Sequence, residues 1–398
     1  MWVRLKIIIV SLFIVLINSM GFSQSAQKSA FYDLIFFPQG YMLPDLSGYG
    51  YSNTMSDISN IGNMNPASLS SFNSIAGGIS YQFDSKIHEA WTNYIGYYKN
   101  KDGMPQSAGF VCPYNDFRFG IGFKQKFNGS LDFGKIPVTT IDNPDGTDEY
   151  YSPTYDYNLI SYSLSASWSA YNTIVKEDKL SFGIRIDLDR LSAFQKIGDV
   201  EAYGQINNTS YAMGLTYEVR IENKYNYQLS FYFEKGVDFT GVMTFNEPTF
   251  TTVYTSDSSH AYTTDNSPIT AIGKTPDRIN AGVDFNVSVP LSISADFTYV
   301  LWHNISPADN EPEVSVSASY NVSDLVSFSL GTYFIRYNSS FMNEWTFSNN
   351  QLNAVYLTAG TVIHYGMLDF NVGLADSHLM SGNWRKQTVG MVSMSVHM

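Results

Sequence analysis

Residues 160–168 read Ile160-Ser161-Tyr162-Ser163-Leu164-Ser165-Ala166-Ser167-Trp168. Apolar or aromatic side chains take every second position, and serine takes every position between. Side chains of a β-strand point alternately to its two faces, so this stretch specifies a strand with one greasy side and one wet side. The same pattern recurs in both directions along the chain. Leu291, Ile293, Ala295, Phe297, Tyr299 and Leu301 alternate with Ser292, Ser294, Asp296 and Thr298. Phe182, Ile184, Ile186 and Leu188 alternate with Ser181, Arg185, Asp187 and Asp189.

A soluble sandwich also alternates, so a second observation has to decide. The wet faces carry Ser, Gly, Asn, Asp and Arg, and the greasy faces end in Tyr, Trp and Phe. That is the signature of a transmembrane barrel, with a lipid-facing band flanked by aromatic girdles and a polar interior. Composition agrees: of 398 residues, 16% are aromatic and only 15% charged, against a usual charged share of about 25%. The single cysteine, Cys112, allows no internal disulfide, and it is expected on the lipid face as a small hydrophobe. The net charge of −13 argues against nucleic acid as a partner, because phosphate contacts need clustered Lys and Arg.

The chain opens on a targeting segment. Arg4 and Lys6 precede an apolar run from Ile7 to Ile17, which is too short for a comfortable membrane-spanning helix. Small and polar residues follow up to Ser23, so residues 1–23 read as a signal peptide and Gln24 as the mature start. A bacterial outer-membrane location follows from the signal and the barrel together.

Link lengths set the strand count. Tight links fall at Asn115, 222–224, 288–290, 321–324 and Gly366. Long polar stretches fall at 128–155, 192–208, 235–275, 304–311, 338–351 and 377–386, with a middling link at 171–178. Short turns on the periplasmic side and long loops outside are the rule for such barrels, as is an even number of strands. Fifteen segments have strand character. Parity removes 91–98 as decoration of an external excursion and leaves an antiparallel barrel of about fourteen strands over residues 74–398, with twelve or sixteen as alternatives.

Residues 24–73 do not alternate and are rich in Asn, Ser, Gly and Tyr. A fourteen-stranded barrel is too wide for side chains alone to fill, so these residues are expected inside the lumen as an N-terminal hatch, or plug. Asn65-Pro66-Ala67 lies just before the first strand, where Pro66, lacking an N–H, ends pairing and orients the hatch against the wall. Lys124, Lys126, Arg185, Asp187, Asp189, Glu218, Arg220, Asp284 and Asp296 are expected to face the lumen. Their first reading is a set of ion pairs holding the plug. Their second is that one cation meets a substrate carboxylate. Six histidines, at 88, 260, 303, 364, 378 and 397, show no metal-ligand spacing, and no nucleophile sits beside a base, so no metal, cofactor or catalytic residue is expected.

Three stretches carry a family resemblance. The run from Ser47-Gly48-Tyr49-Gly50 through Asp57-Ile58-Ser59-Asn60 to Asn65-Pro66-Ala67-Ser68-Leu69 resembles the hatch of the FadL/TodX-type outer-membrane transporters of hydrophobic compounds. Residues 106–113 and 117–123 are similar to that family's second and third strands. Thr275-Pro276-Asp277-Arg278, followed by the strand from Leu291 and by Trp302, is a third match, and the three occur in family order. Bulky Tyr49, Tyr51, Thr54 and Met55 after the Ser-Gly start, and the ending Val396-His397-Met398, depart from the family pattern.

The resemblance implies capture of a hydrophobic small molecule such as a long-chain fatty acid, then passage into the barrel and lateral or downward release. Outer-membrane lipid is the implied surrounding partner, and no enzymatic activity is implied. Barrels of this superfamily also act as partners of protein-secretion or assembly machinery, and a nonspecific porin is the third reading.

Overall fold

The computed structural model describes residues 58–84, 87–91, 94–100, 105–132, 135–137, 150–152, 154–197, 200–221, 225–245, 249–254, 260–265, 269–288, 290–301, 310–335, 354–381, 386 and 388–398. The expected signal peptide, 1–23, and residues 24–57 of the expected hatch lie outside these. Fourteen strands form the wall: β1 (Ala76–Asp84), β2 (Ser107–Tyr114), β3 (Phe117–Asp132), β4 (Thr154–Tyr171), β5 (Asp178–Ile197), β6 (Val200–Ile221) and β7 (Tyr225–Glu234). They continue as β8 (Asp277–Ser288), β9 (Leu291–Leu301), β10 (Glu311–Ser323), β11 (Val326–Ile335), β12 (Ala354–Tyr365), β13 (Leu368–Asp376) and β14 (Thr388–His397).

Each strand pairs antiparallel with the next, and β14 returns to β1 in the register Ala76↔His397 to Asp84↔Val389. Closure leaves no edge strand in the wall. The turns at the periplasmic end are tight, and Asn115 (φ 52°) and Gly366 (φ 63°) take the left-handed conformation that two-residue hairpins require. Asn tolerates that region because its short side chain can bond locally.

The amphipathic pattern is inverted relative to a soluble protein. Leu164 is 65% exposed and Ile186 58%, whereas Ser161 and Asp187 are 0% exposed. The greasy face is the outer surface, and the polar face is interior. Burial of apolar side chains therefore drives this fold through transfer to lipid, not through a central core. Cys112 is exposed on that outer face.

One sequence expectation needs correction. Residues 192–208 do not form a long loop, because β5 runs to Ile197 and β6 begins at Val200. Strands of 16 to 22 residues in β3 to β6 continue past the membrane, which needs only about ten. Outside the bilayer both faces are wet, so a polar strand there loses its alternation and reads as loop. Residues 91–98 lie outside the fourteen-stranded wall, as expected, within a regular hairpin of Ile87–Trp91 with Tyr94–Asn100, whose second strand pairs with the outer end of β3. Within 235–275, Asp238–Phe245 pairs with Ile269–Lys274 as a ribbon above the rim.

Inside the barrel lies a short segment of two 3-10 turns, Ile58–Asn60 and Pro66–Ser71. Ile58, Ile61, Met64, Leu69 and Phe72 are buried with Ala76 of β1 and Val111 of β2 in one apolar cluster. Each such side chain contributes about 1.5–3 kcal/mol on full burial. This cluster ties the inner segment to the first two strands.

Candidate functional site in the barrel lumen

Asn65-Pro66-Ala67 is the best-defined joint between inner segment and wall. Asn65 caps the second 3-10 turn, its Oδ1 accepting from the Ala67 amide at 3.0 Å, and Pro66 takes the first turn position, where a missing N–H costs nothing. The Asn65 Nδ2 donates to the wall carbonyls of Leu215 (3.4 Å) and Phe231 (3.2 Å), so one side chain ends the turn and fixes it to β6 and β7. The wall meets it with glycine. A Cβ on Gly214 would lie 1.7 Å from Asn65 Oδ1, and one on Gly183 would lie 2.2 Å from the Pro66 carbonyl carbon. Only glycine permits that approach.

Four cations of the wall donate to the inner segment. Arg118 Nε reaches the Phe72 carbonyl at 2.6 Å, Lys179 Nζ the Ser70 carbonyl at 2.8 Å, and Arg185 Nη1 the Met64 carbonyl at 2.9 Å. Lys124 Nζ reaches Asn60 Oδ1 at 3.1 Å. A segment without regular helix or sheet leaves carbonyls unsatisfied, and these donors supply the partners that burial demands.

Above this joint, toward the outer rim, lies an ionic cluster. Lys126 Nζ sits 3.1 Å from Asp189, 3.1 Å from Glu234 and 3.6 Å from Asp187. Arg185 pairs with Asp187 at 3.0 Å and Glu234 at 3.5 Å, and its guanidinium carbon lies 5.9 Å from the Tyr232 ring centre. The Tyr232 hydroxyl donates to Glu234, and Arg278 approaches the same carboxylate at 3.9 Å. Ionic groups this deeply buried persist only where each is neutralised and hydrogen-bonded.

Of the nine charged positions singled out in the sequence, the structure brings Lys126, Arg185, Asp187 and Asp189 into this cluster and places Lys124 on the inner segment. Asp296 is buried on the inner face of β9, and Asp284 accepts from Ser294 Oγ at 2.6 Å. Glu218 lies at the periplasmic mouth, 3.8 Å from Lys179 and 3.4 Å from Arg220, whose side chain is largely exposed. Sequence reasoning missed Arg118, Lys179, Glu234 and Arg278. Glu234 ends β7 where alternation gives way to the Lys235-Gly236 link, so no pattern marked it.

The histidines, scattered in sequence, are partly reunited. His364 Nδ1 lies 2.6 Å from one oxygen of Asp369 and His397 Nε2 lies 2.9 Å from the other, on three neighbouring strands at the periplasmic end. Among the described residues no group of three His, Cys, Asp or Glu is arranged to hold a metal.

The wall slips register beside the turns at Asn286/Ser288 and Asn321/Ser323, and once within the span of long strands. The register of β3 with β4 slips between Gln125 and Phe127, and Lys124, Gln125 and Lys126 are all buried. On its other side β3 pairs with β2 as far as Lys124↔Ser107 and then with the outer hairpin from Gly129↔Asn100. Gln106 and Gln125 bridge the join, the Gln125 amide donating to the Gln106 carbonyl at 2.8 Å and Gln106 Nε2 to the Gln125 carbonyl at 3.0 Å. Bulges bend strands and interrupt ladders, so this is the weakest point of the described wall.

No family model and no curated protein matches the sequence. Solved structures do match the fold. The P. putida toluene transporter TodX is similar at TM-score 0.61 and 13% identity, over 89% of this chain and 99% of that one. The Ralstonia pickettii toluene transporter TbuX matches at TM-score 0.57 and 11% identity, over 86% and 94%. A Pseudomonas aeruginosa FadL homologue matches at TM-score 0.52 and 13% identity, over 89% and 98%. With closed wall, inner segment and rim ribbons on the page, the similarity over most of every chain shows that this protein has the fold of the FadL/TodX-type outer-membrane channels.

Proposed function

We propose that the protein sits in the bacterial outer membrane and carries hydrophobic small molecules across it, with residues 58–73 as the wall-bound part of a hatch. The observation that carries this reading is the inner segment itself, an apolar cluster and an Asn-Pro-Ala joint seated in a fold whose solved relatives include two toluene transporters. A plug bound through Asn65, Arg118 and Arg185 does not suit a nonspecific porin, which needs an open water path. An apolar molecule partitions poorly into water, so it needs a lined route and an exit. The interrupted ladder at Gln106 and Gln125 supplies a place where cargo passes sideways through the wall.

The test is uptake of labelled toluene and of a long-chain fatty acid by cells with a lipopolysaccharide outer membrane, with and without the protein. Faster uptake of either is expected, and uptake at the vector-only level for every hydrophobic compound tried would sink the reading. Disulfide closure of the join by Gln106→Cys with Gln125→Cys is expected to slow uptake, with recovery on reduction.

A second reading, a barrel partner of a secretion or assembly machine, is favoured by the packed lumen at the level of the inner segment and by the ribbon at 238–274. Crosslinking in native membranes separates the two, since this reading requires a stoichiometric protein partner.

A further inference from the structure

We infer that the lumen selects uncharged cargo and rejects carboxylates, a refinement that rests on the transport reading above. The buried charged side chains among the described residues are five cations and eight acids. Every one of the five cations is already engaged by the protein. Arg118 and Lys124 serve the inner segment through Phe72 and Asn60. Lys126 is held by Asp187, Asp189 and Glu234. Arg185 serves Met64, Asp187 and Glu234, and Arg278 faces Glu234. A cargo carboxylate entering here has to displace a protein acceptor, a carboxylate of the cluster or a carbonyl of the inner segment, to gain a cation. Desolvating an anion without a counter-ion is the costliest transfer a lumen can demand.

A second observation concerns β10. Glu311 and Glu313 are both buried on the lumen side near its outer end. Glu313 Oε2 accepts from the Tyr333 hydroxyl at 2.9 Å, while its Oε1 has no hydrogen-bond partner. A buried carboxyl oxygen without a partner suits a molecule bringing an O–H or N–H group, whereas an ionised carboxylate has no proton to give it. Hydrocarbons, alcohols and phenols therefore fit this lumen, and ionised fatty acids do not. Glu313 is the residue assigned to that choice.

The experiment compares uptake of labelled dodecanol and dodecanoate at neutral pH in cells with a lipopolysaccharide outer membrane, each corrected for vector-only cells. The alcohol is expected to enter about tenfold faster than the acid, in line with the discrimination that buried polar groups impose on mismatched ligands. Glu313→Gln should shrink that ratio by raising dodecanoate uptake. Tyr333→Phe, which keeps the acid and removes its donor, should leave dodecanoate excluded. Heat-modifiable migration on a gel verifies that each variant is a folded barrel, and the wild-type ratio decides the matter even if a variant fails to fold. Equal rates, or a faster acid, would overturn the inference while leaving transport intact. No uptake of either compound or of toluene would overturn the transport reading with it.

Discussion

At the scale of single residues, the glycines facing Asn65 and Pro66 show how a wall built on polar alternation admits an inner segment. Gly214 stands where alternation calls for a lumen-facing side chain, and its lack of one leaves room for Asn65. Gly214→Val is therefore expected to push the inner segment off β6. Overpacking of this kind costs about 1–3 kcal/mol, and here the loss falls on the seating of the plug. Planar-bilayer recording is the check, with larger and more frequent conductance steps expected in the variant. Unchanged currents would mean that the segment seats without the Asn65 joint. Nothing in the sequence marks Gly214 as special, because glycine in a strand also reads as a bulge or a weak spot. Asn65-Pro66-Ala67, in contrast, was legible by position alone, since a turn motif just before the first strand has only the lumen or the periplasm to occupy.

At the scale of elements, the Pro66–Ser71 turn depends on two kinds of anchor. Asn65→Ala removes a cap, worth about 1 kcal/mol, together with the bonds to Leu215 and Phe231. Hydrogen exchange over residues 65–72 is expected to accelerate while the wall strands stay protected. If the strands lose protection to the same degree, the segment is integral to the wall and not a separable plug.

The ionic cluster answers differently. Arg185→Met strands Asp187 and Glu234 in a buried site, which costs about 3–5 kcal/mol for a broken buried pair. Adding Asp187→Asn and Glu234→Gln should restore part of that loss, since replacing all partners removes the uncompensated charge. Denaturant titration in lipid vesicles reads both values. The cluster was half legible. Arg185, Asp187 and Asp189 alternate on one strand and announce a polar face, but only barrel closure brings β7 and β8 close enough for Glu234 and Arg278 to join them. Pairings between distant strands are set by shear and curvature, which local alternation does not encode.

For the molecule as a whole, the apolar surface is outside. Wall and strand order were legible because a lipid-facing strand must alternate for its full length and because turn lengths differ between the two sides. The outer extensions of β5 and β6 were not legible, because past the bilayer a strand has no apolar face to reveal it. The same logic makes a paired prediction. Ile184→Arg places a cation on the lipid face, next to the Arg185 that the lumen accommodates. The substitution should cost about 2–4 kcal/mol near the bilayer midplane, falling toward zero at the interfaces. Ser165→Ala, on the lumen face of β4 where the hydroxyl has no hydrogen-bond partner, should change stability by about 1 kcal/mol or less. Both are measured by reversible unfolding in vesicles of defined thickness, with tryptophan fluorescence as the signal. A soluble protein of the same sequence pattern would reverse the order, tolerating arginine on its exposed face and penalising changes to its interior. An Ile184→Arg variant as stable as wild type would thus remove the membrane from the account of this fold, whatever its likeness to known channels.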